Sequence, residues 1–465
     1  MRSGPQLVTV GSQAVTVPAP GTASDVWEVW RAPTSTPVRV RVSGFKHLLV
    51  PALAAACLAD GPWRIGNVPD IADTRVLTEL LGGAGATVTR DRRAGALLVS
   101  AGPMTHRRIP ESLSGQVHGS VYLLPALLAA TGRVASGRHG GCRIGSGGSG
   151  ERPLAHVAAV MERFGARCEM TDSGFSATAP ASGLRGALIE LADFAVREPV
   201  TGTLTGPHYS GATKTALLLG AVAKGTTVLR DPYPKADVTE LARALGTAGV
   251  PVRIGPDEIV VEGRGGPIGA TELVLPSDLM EVVTMISLAV CLDTEARLLL
   301  DRPDTVRAAL APELDCLAAM GVPLTWDGDT LLAGRAERIA PVDVVAASHL
   351  VYSDALALLV PALLRASGPS TVTDLVWGSR FGYADGLRAL GADLTVSGAR
   401  MTVRPSVLRP AGGPLRAGDL RAVAALVIGA LTAGGRHAVH GVRHLERGYE
   451  GLPDKLRLFG AGVRE

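Results

Sequence analysis

Hydrophobic and polar positions along the chain repeat in steps of roughly 65 to 80 residues, a period typical of repeat architectures. Each of six copies starts with an apolar run of helical character that ends in a small residue and then Gly or Thr. These runs are Leu48–Gly61, Ser120–Gly132, Thr213–Gly225, Val282–Thr294, Ala355–Gly368 and Arg421–Gly434. A short β-rich segment with a turn and a second amphipathic helix complete each copy. The pattern therefore predicts six βαβαββ-like units.

Six units predict an α/β (α+β) chain of two similar domains with three repeats each. A length of 465 residues supports two domains, because single cores stop growing near about 250–300 residues. We expect residues 1–45 to form a leader and a strand, Val38–Val42, that joins the second domain. The first domain is predicted to span 46–268, ending at a glycine-rich junction, and the second 269–465. A cleft between two such domains is a common place for a ligand site.

Composition narrows the class of protein. Hydrophobic residues make up 46% and charged residues 19% of the chain, so it is expected to bury large cores rather than remain disordered. A net charge of +3 gives no reason to expect nucleic acid as a partner. No apolar stretch reaches the ~20 residues of a membrane span, and no signal pattern opens the chain. These features predict a soluble, cytoplasmic monomer or weak homo-oligomer with no membrane partner.

One of the five cysteines lies in an unusual loop. Cys142 occurs in RHGGCRIGSGGSGER, with Arg138, His139, Arg143 and Arg152 close in sequence. Nearby cations favour the thiolate, the reactive form of cysteine, and a glycine-rich loop can close over a substrate. The alternative is an incidental surface thiol. The other cysteines lie in or next to apolar runs without CxxC spacing, so neither zinc nor a disulfide framework is indicated.

A second group of candidates consists of cations at corresponding edges of different repeats. Lys46 precedes the first apolar helix, Arg380 occurs in GSRFGY, Arg421 in GDLRA and Arg447 in ERGYE. Converging cations repel one another unless an anion joins them, and Arg binds carboxylate or phosphate oxygens bidentately. The alternative for any single Arg is a solvated surface residue, but the set predicts an anion site.

Carboxylates begin the apolar helices of the last three copies, at Asp278, Asp354 and Asp419. An Asp at a helix start usually caps the helix or offsets its dipole. For Asp354 in YSDALAL the pattern alone favours this capping role over that of a general base.

Several of these segments together resemble the enolpyruvyl transferases. The likeness covers about residues 40 to 465, is nearer the UDP-N-acetylglucosamine branch than the shikimate-3-phosphate branch, and is carried by several motifs. These are SGFKHLLVPALAAACLADG, GGCRIG, YSDALAL with Arg380 26 residues after its Asp, GDLRA and ERGYEGLPDKLRLFGA. The resemblance implies two domains, each an inside-out α/β barrel of three repeats. It also implies transfer of the enolpyruvyl group of phosphoenolpyruvate to an alcohol, by addition and then elimination of phosphate, with no metal or other cofactor.

The resemblance assigns the cations to the two anionic groups of phosphoenolpyruvate. Lys46, Arg152 and Arg447 match the residues that hold its phosphate. Arg380 and Arg421 match the clamp on its carboxylate. Preorganised cations stabilise the charge that develops in the addition step.

Two further positions match catalytic residues of the family. Cys142 matches the loop cysteine that protonates the methylene carbon. Asp354 matches the acid that takes the proton of the acceptor hydroxyl, which reverses the preference for a cap.

The acceptor side departs from the family pattern near the phosphate and uracil contacts. Lys46 is followed by His47 where the cell-wall enzymes have Asn, and His118 replaces an Arg. Four residues, 147–150, are inserted after Cys142, and the acidic residue expected to read the uracil ring is missing or displaced. These changes favour an alcohol other than UDP-N-acetylglucosamine.

The stretch that lies near the diphosphate in the family is also rewritten. It supplies four candidate substrate-binding residues, Ser210, Gly211, Thr213 and Lys214, the last being a cation in place of an acid. An added cation suits a monophosphate dianion. We therefore expect a uridine nucleotide acceptor, the 3′-hydroxyl of UMP, as in the UMP enolpyruvyl transferases of nikkomycin and polyoxin-type nucleoside antibiotic pathways. The alternatives are a UDP-N-acetylglucosamine 1-carboxyvinyltransferase of peptidoglycan synthesis and an inactive ligand-binding paralogue.

Overall fold

Helices and strands alternate through the described part of the computed structural model, which is residues 25–32, 37–140, 144, 154–171, 174–199 and 201–465. The α-helices in these ranges are α1 (Lys46–Ala56), α2 (Ala72–Ala84), α3 (Glu111–Ser114), α4 (Leu123–Thr131), α5 (Ala155–Arg163), α6 (Tyr209–Val222), α7 (Ala236–Thr247), α8 (Leu279–Leu292), α9 (Pro303–Ala309), α10 (Ala311–Ala319), α11 (Ser353–Leu363), α12 (Ala384–Ala389), α13 (Leu420–Ala433) and α14 (Leu452–Leu458). Short 3-10 helices lie at His118–Tyr122, Leu191–Phe194 and Val442–Arg447.

The strands are short, as expected for many small sheets. In chain order they are β1 (Val26–Arg31), β2 (Val38–Arg41), β3 (Trp63–Gly66), β4 (Thr87–Asp91), β5 (Ala96–Ser100), β6 (Arg108–Ile109), β7 (Arg133–Ser136), β8 (Arg167–Thr171), β9 (Gly174–Thr178), β10 (Leu188–Glu190), β11 (Val196–Arg197), β12 (Leu204–Thr205), β13 (Lys224–Arg230), β14 (Val252–Ile254), β15 (Glu258–Arg264), β16 (Thr271–Val274), β17 (Ala296–Leu299), β18 (Leu324–Asp327), β19 (Thr330–Ala333), β20 (Val344–Ala346), β21 (Ser370–Asp374), β22 (Asp393–Ser397), β23 (Arg400–Arg404), β24 (Leu415–Arg416), β25 (Arg436–His440) and β26 (Ala461–Arg464).

The predicted six-fold repeat is visible in the sheets. Within the described ranges there are six four-stranded sheets, ordered β16-β3-β5-β4, β6-β7-β9-β8, β10-β13-β15-β14, β2-β17-β19-β18, β20-β21-β23-β22 and β24-β25-β1-β26. In each one the first two strands are parallel and the next two pairings are antiparallel. One local pattern therefore forms six times, as its sequence period indicates.

The apolar helix of each repeat forms the core. Every residue of α8 is buried, and α13 is buried from Leu420 to Leu431. Helices that are apolar on all sides are stable only when enclosed by other elements. Accordingly α8, α11 and α13 contact one another, and so do α1, α4 and α6.

The helix starts differ from the sequence-based prediction in a systematic way. The runs predicted to begin at Thr213 and Val282 lie inside α6 and α8, which begin at Tyr209 and Leu279. The omitted first turns contain Ser210 and Glu281, and such polar or charged residues interrupt the apolar pattern. The second run was predicted from Ser120, but a 3-10 helix occupies that position and α4 begins at Leu123.

The described chain forms two compact units. One contains residues 45–140 and 154–275, and the other contains residues 25–44 and 276–465. Their boundary lies at Leu275, after the predicted glycine-rich junction, because β16 pairs with β3 of the first unit. Strands β1 and β2, which lie in the predicted leader segment, join sheets of the second unit. No helix in the described ranges has the length and apolar character needed to cross a membrane.

Candidate active site

Three sequence-predicted site residues meet in the second unit. Asp354 is the second residue of α11, Arg421 is the second residue of α13, and Arg380 lies in the loop between β21 and α12. The Asp354 carboxylate accepts a hydrogen bond from Arg380 through Oδ1 and one from Arg421 Nε through Oδ2, the latter at 2.9 Å. Residues separated by 26 and 67 positions in sequence thus form one charged cluster.

The helix-start acids of this unit divide into two roles. Asp278 and Asp419 are N-caps, and each accepts hydrogen bonds from two backbone N–H groups of its own helix. The N-cap of α11 is instead Tyr352, whose side chain makes no capping bond, and Asp354 pairs with the two arginines. Asp354 therefore does not occupy the capping position that its pattern alone favoured.

The groups around the two buried guanidinium groups of this cluster keep both of them charged. Arg380 is 8% exposed and Arg421 1% exposed. Burial opposes the charge of Arg380, but Asp354 and Asp419 outweigh burial and raise its pKa. For Arg421 burial is likewise the largest effect, and Tyr449 and Asp354 outweigh it, so the pKa of this group is raised as well.

One side-chain donor of Arg421 has no partner in the described part of the chain. Its Nη1 is buried and has no hydrogen-bond partner among the residues the structure describes. The guanidinium lies 5.3 Å from the ring centre of Tyr449, whose hydroxyl lies 2.8 Å from that of Thr284. A buried donor without a partner destabilises the protein by about 1–3 kcal/mol. An anionic ligand that accepts a hydrogen bond from this N–H would remove that penalty. Tyr449 was not predicted as a site residue from the sequence, although it lies in the RGYE motif.

Arg447 ends the 3-10 helix Val442–Arg447, two residues before Tyr449. This 3-10 helix contacts α13, the helix that carries Arg421. Arg447 is partly exposed and has interactions of its own. Its segment is therefore held next to the arginine cluster of the second unit.

In the first unit Lys46 is the first residue of α1, and its Nζ lies 2.7 Å from the Asp73 carboxylate. His47 follows it and makes an edge contact with the Phe45 ring at 5.6 Å between centroids. His118 begins the 3-10 helix that precedes α4. These three candidates lie at starts of the repeat helices, where the sequence pattern predicted them.

The four candidates on α6 have different surroundings. Ser210 Oγ lies 3.4 Å from the Asp237 carboxylate, and Thr213 Oγ1 donates to the carbonyl of Tyr209 within the helix. Lys214 is 5% exposed and forms an ion pair with Asp237. Burial lowers the pKa of Lys214, but Asp237 and Tyr122 together raise it by more than burial lowers it. The pKa of Lys214 therefore lies above its usual value. Asp237 thus balances the Lys214 charge that was expected to face a phosphate.

The acids that pair with Lys46 and Lys214 were not predicted from the sequence. Asp73 is the second residue of α2 and Asp237 the second residue of α7, the second helices of their repeats. Because both acids occupy the same position in their repeats, a comparison of the repeats could have identified them from the sequence.

Cys142 and Arg152 lie outside the described residues. The segment that leads to Cys142 is well held, because His139 is 3% exposed and its ring nitrogens lie 2.9 Å from the hydroxyls of Ser120 and Ser136. Burial lowers the pKa of His139 to about 4. His139 is thus a neutral structural residue at neutral pH.

Comparison with known proteins identifies the class of protein. The chain matches the family model of EPSP synthase (3-phosphoshikimate 1-carboxyvinyltransferase) over residues 31–456. It is 34% identical over 435 residues to UDP-N-acetylglucosamine 1-carboxyvinyltransferase of Anaeromyxobacter sp. (strain K), with 91% of this chain and 96% of the relative covered. The corresponding protein of Cereibacter sphaeroides is 32% identical, with 92% and 96% covered. The chain therefore belongs to the EPSP synthase family of enolpyruvyl (carboxyvinyl) transferases and is an enzyme of this kind.

Solved structures agree with that assignment. The enolpyruvyl transferase NikO from Streptomyces tendae is 36% identical, with a TM-score of 0.85 over 94% of this chain and 98% of NikO. EPSP synthase from Acinetobacter baumannii, at 16% identity and a TM-score of 0.65, covers 94% of this chain and 100% of its own and shows the mixed α/β fold alone.

Proposed function

We propose that the protein transfers the enolpyruvyl group of phosphoenolpyruvate to the 3′-hydroxyl of UMP and releases phosphate. The observation that carries the phosphoenolpyruvate half is the cluster of Asp354, Arg380 and Arg421, in which the buried Nη1 of Arg421 has no hydrogen-bond partner within the described part of the chain. An arginine fork suits a carboxylate, and a rigid fork needs little reorganisation when charge develops.

The chemistry assigns one step to each group. Asp354 takes the proton of the acceptor hydroxyl, whose oxygen bonds to C2 of phosphoenolpyruvate, while Cys142 delivers a proton to the methylene carbon. The bond from C2 to the bridging oxygen then breaks, phosphate leaves with the electron pair, and loss of a methyl proton restores the double bond. Arg380 and Arg421 hold the carboxylate throughout.

The remaining predicted residues serve the phosphates and the acceptor. We assign the phosphate of phosphoenolpyruvate to Lys46, Arg152 and Arg447, as the family resemblance implies. We assign binding of the acceptor to residues that differ from the cell-wall enzymes or lie next to such residues. These are His47, His118, Ser210, Gly211, Thr213 and Lys214. Because Asp237 balances Lys214, Lys214 shapes the site together with Asp237 rather than as an isolated cation.

The proposal extends to the architecture. In each unit three repeats, each with a four-stranded sheet and a buried apolar helix, fit an inside-out α/β barrel of pseudo-symmetric βαβαββ units. The domains we assign are 46–275 and 276–465, which is the predicted pair of 46–268 and 269–465 with the boundary moved to Leu275.

An acceptor panel tests the function. Purified protein with phosphoenolpyruvate is given UMP, uridine, UDP-N-acetylglucosamine or shikimate-3-phosphate, and phosphate release is followed with mass analysis of the product. We expect release with UMP and a product that carries one enolpyruvyl group.

The other outcomes separate the alternatives. Turnover with UDP-N-acetylglucosamine alone, the acceptor named in the relatives that are 30–34% identical, would make the protein a cell-wall-type enzyme. No turnover with any acceptor, together with thermal stabilisation by phosphoenolpyruvate, would favour the inactive binding paralogue. Either result contradicts the UMP proposal.

A further inference from the structure

Two buried polar residues enclose the loop that carries Arg380, which we call the Arg380 loop (residues 375–382). Asp374, the last residue of β21, precedes the loop, and Tyr383, the N-cap residue of α12, follows it. Asp374 is fully buried and Tyr383 is 1% exposed. The Tyr383 ring makes an edge contact with the ring of Phe381, at 6.3 Å between centroids. Both ends of the Arg380 loop are therefore held in the core of the second unit.

Each of the two enclosing residues has a buried polar atom without a hydrogen-bond partner in the described part of the chain. Oδ1 of Asp374 accepts hydrogen bonds from the backbone N–H groups of Val376 and Trp377, at 3.0 and 3.1 Å, whereas Oδ2 has no partner there. The hydroxyl of Tyr383 likewise has no partner within those ranges. Buried polar groups are usually paired, because an unpaired one lowers stability. The Tyr383 hydroxyl is a donor and Asp374 Oδ2 an acceptor, so the two atoms are chemically complementary.

The charges around Tyr383 keep its hydroxyl protonated. Burial, and then Asp374 and Asp419, raise the pKa of Tyr383 well above its usual value, while Arg380 lowers it. A protonated hydroxyl near carboxylates is best stabilised by donating a hydrogen bond to one of them. Asp419 already accepts hydrogen bonds from two backbone N–H groups of its own helix and from Arg380. Asp374, with its unpaired Oδ2 in the described part of the chain, is therefore the better acceptor.

The backbone of the Arg380 loop can adjust on both sides of Arg380. Gly378 has a φ of +77°, in the left-handed region that favours glycine, and a Cβ placed on Gly382 would meet nothing within 4 Å. Small residues of this kind often absorb the backbone rotation when a loop moves. In the structure Arg380 pairs with Asp354 and Asp419. A carboxylate ligand at Arg380 competes with these two acids, and the glycines let the loop follow the ligand.

We infer that Tyr383 and Asp374 are positioning residues for Arg380. When a carboxylate ligand binds Arg380, the Tyr383 hydroxyl donates a hydrogen bond to Asp374 Oδ2 and holds the Arg380 loop in its ligand-bound position. The inference rests on the proposed function, because it takes the ligand to be the carboxylate of phosphoenolpyruvate. The two unpaired groups raise the free energy of the ligand-free state, so pairing them on binding increases the affinity for the ligand.

Tyr383→Phe tests the inference because it removes only the hydroxyl. Binding of phosphoenolpyruvate is measured by calorimetry for the unmodified protein and for the variant. We expect about tenfold weaker binding, the loss of a hydrogen bond to a charged group. The melting temperature of the ligand-free variant should stay the same or rise, because the variant lacks an unpaired buried hydroxyl. A lower melting temperature with unchanged affinity for phosphoenolpyruvate means a purely structural role and overturns the inference.

Asp374→Asn tests the same hydrogen bond from the acceptor side. Asn keeps an oxygen for the two backbone N–H groups but presents an amide instead of a carboxylate oxygen to Tyr383. It should weaken phosphoenolpyruvate binding as much as Tyr383→Phe does, and the double variant should bind no more weakly than either single variant, because both changes remove one bond. The control is Asp343→Asn, since Asp343 accepts a hydrogen bond from the Thr371 N–H of the same strand, at 2.8 Å, and it should leave binding unchanged. Additive losses in the double variant overturn the inference.

Steady-state kinetics separate failure of this inference from failure of the proposed function. With an acceptor that supports turnover in the panel, Tyr383→Phe should raise the KM for phosphoenolpyruvate about tenfold and change kcat by less than about twofold. An unchanged KM overturns the inference and leaves enolpyruvyl transfer intact. If UMP fails in the panel and another acceptor works, the acceptor is corrected and the comparison of the two proteins is made with that acceptor. If the unmodified protein binds no phosphoenolpyruvate, the proposed function itself is wrong.

Discussion

Changing Asp354 to Asn lowers kcat by about 100- to 10,000-fold, the range found when a positioned general base is removed. Asn keeps the size of the side chain but cannot take the acceptor proton. The KM for phosphoenolpyruvate stays the same or falls, because Arg380 and Arg421 lose a carboxylate that otherwise competes for their N–H groups. Steady-state kinetics with varied phosphoenolpyruvate separate the two effects.

A matched control exists in the same unit. Asp385, also the second residue of its helix, pairs with Arg388 at 2.6 Å, but its side chain is 94% exposed. Exposed ion pairs contribute little to stability, so Asp385→Asn should leave kcat, KM and thermal stability nearly unchanged. A kcat for Asp354→Asn in the range of the unmodified protein would show that another group accepts the proton.

Replacing Cys142 with Ala removes nearly all turnover, whereas Cys142→Asp retains part of it, because a carboxylic acid can also deliver a proton. The size of the loss follows from the role proposed for Cys142 as the acid that protonates the methylene carbon. Phosphate release and product mass are measured for both variants. Full activity of Cys142→Ala would assign the protonation to a different acid.

The same thiol can be probed directly with fosfomycin, an epoxide that mimics phosphoenolpyruvate. The four other cysteines should not react, because burial is the main cause that raises the pKa of each thiol to about 12. They are Cys57, Cys168, Cys291 and Cys316. A thiolate, not a thiol, attacks the electrophile. With acceptor bound, intact mass should show one adduct, absent from Cys142→Ala and present in the control Cys168→Ala.

The sequence predicted the features that depend on local pattern. The six repeats, the buried apolar helices and the strand at Val38 follow from periodicity, and all are present. Strand β1 was missed, because its partners, β25 and β26, lie about 400 residues away along the chain and Val26–Arg31 follows a segment rich in Val, Thr, Pro and Gly. Pairing over such a distance leaves no local signal.

Side-chain partners were the least predictable part of the site. The set of cations was recognisable from its motifs, but the sequence did not indicate that Asp237 pairs with Lys214 or that His156 stacks on His208. Both contacts join different helices, and their charge balance depends on burial. Asp354 lies in the first turn of α11 rather than at its N-cap, which is Tyr352, and the sequence did not indicate that Arg380 and Arg421 reach it from other elements.

The most direct measurement follows the bridging oxygen of phosphoenolpyruvate. With oxygen-18 at that position and UMP as acceptor, addition and elimination break the bond between carbon and oxygen. Phosphorus NMR should then find the label in the released phosphate, and mass analysis should find an unlabelled enolpyruvyl ether. Label that remains in pyruvate, with no ether formed, would mean that the phosphorus–oxygen bond is cleaved and would contradict enolpyruvyl transfer.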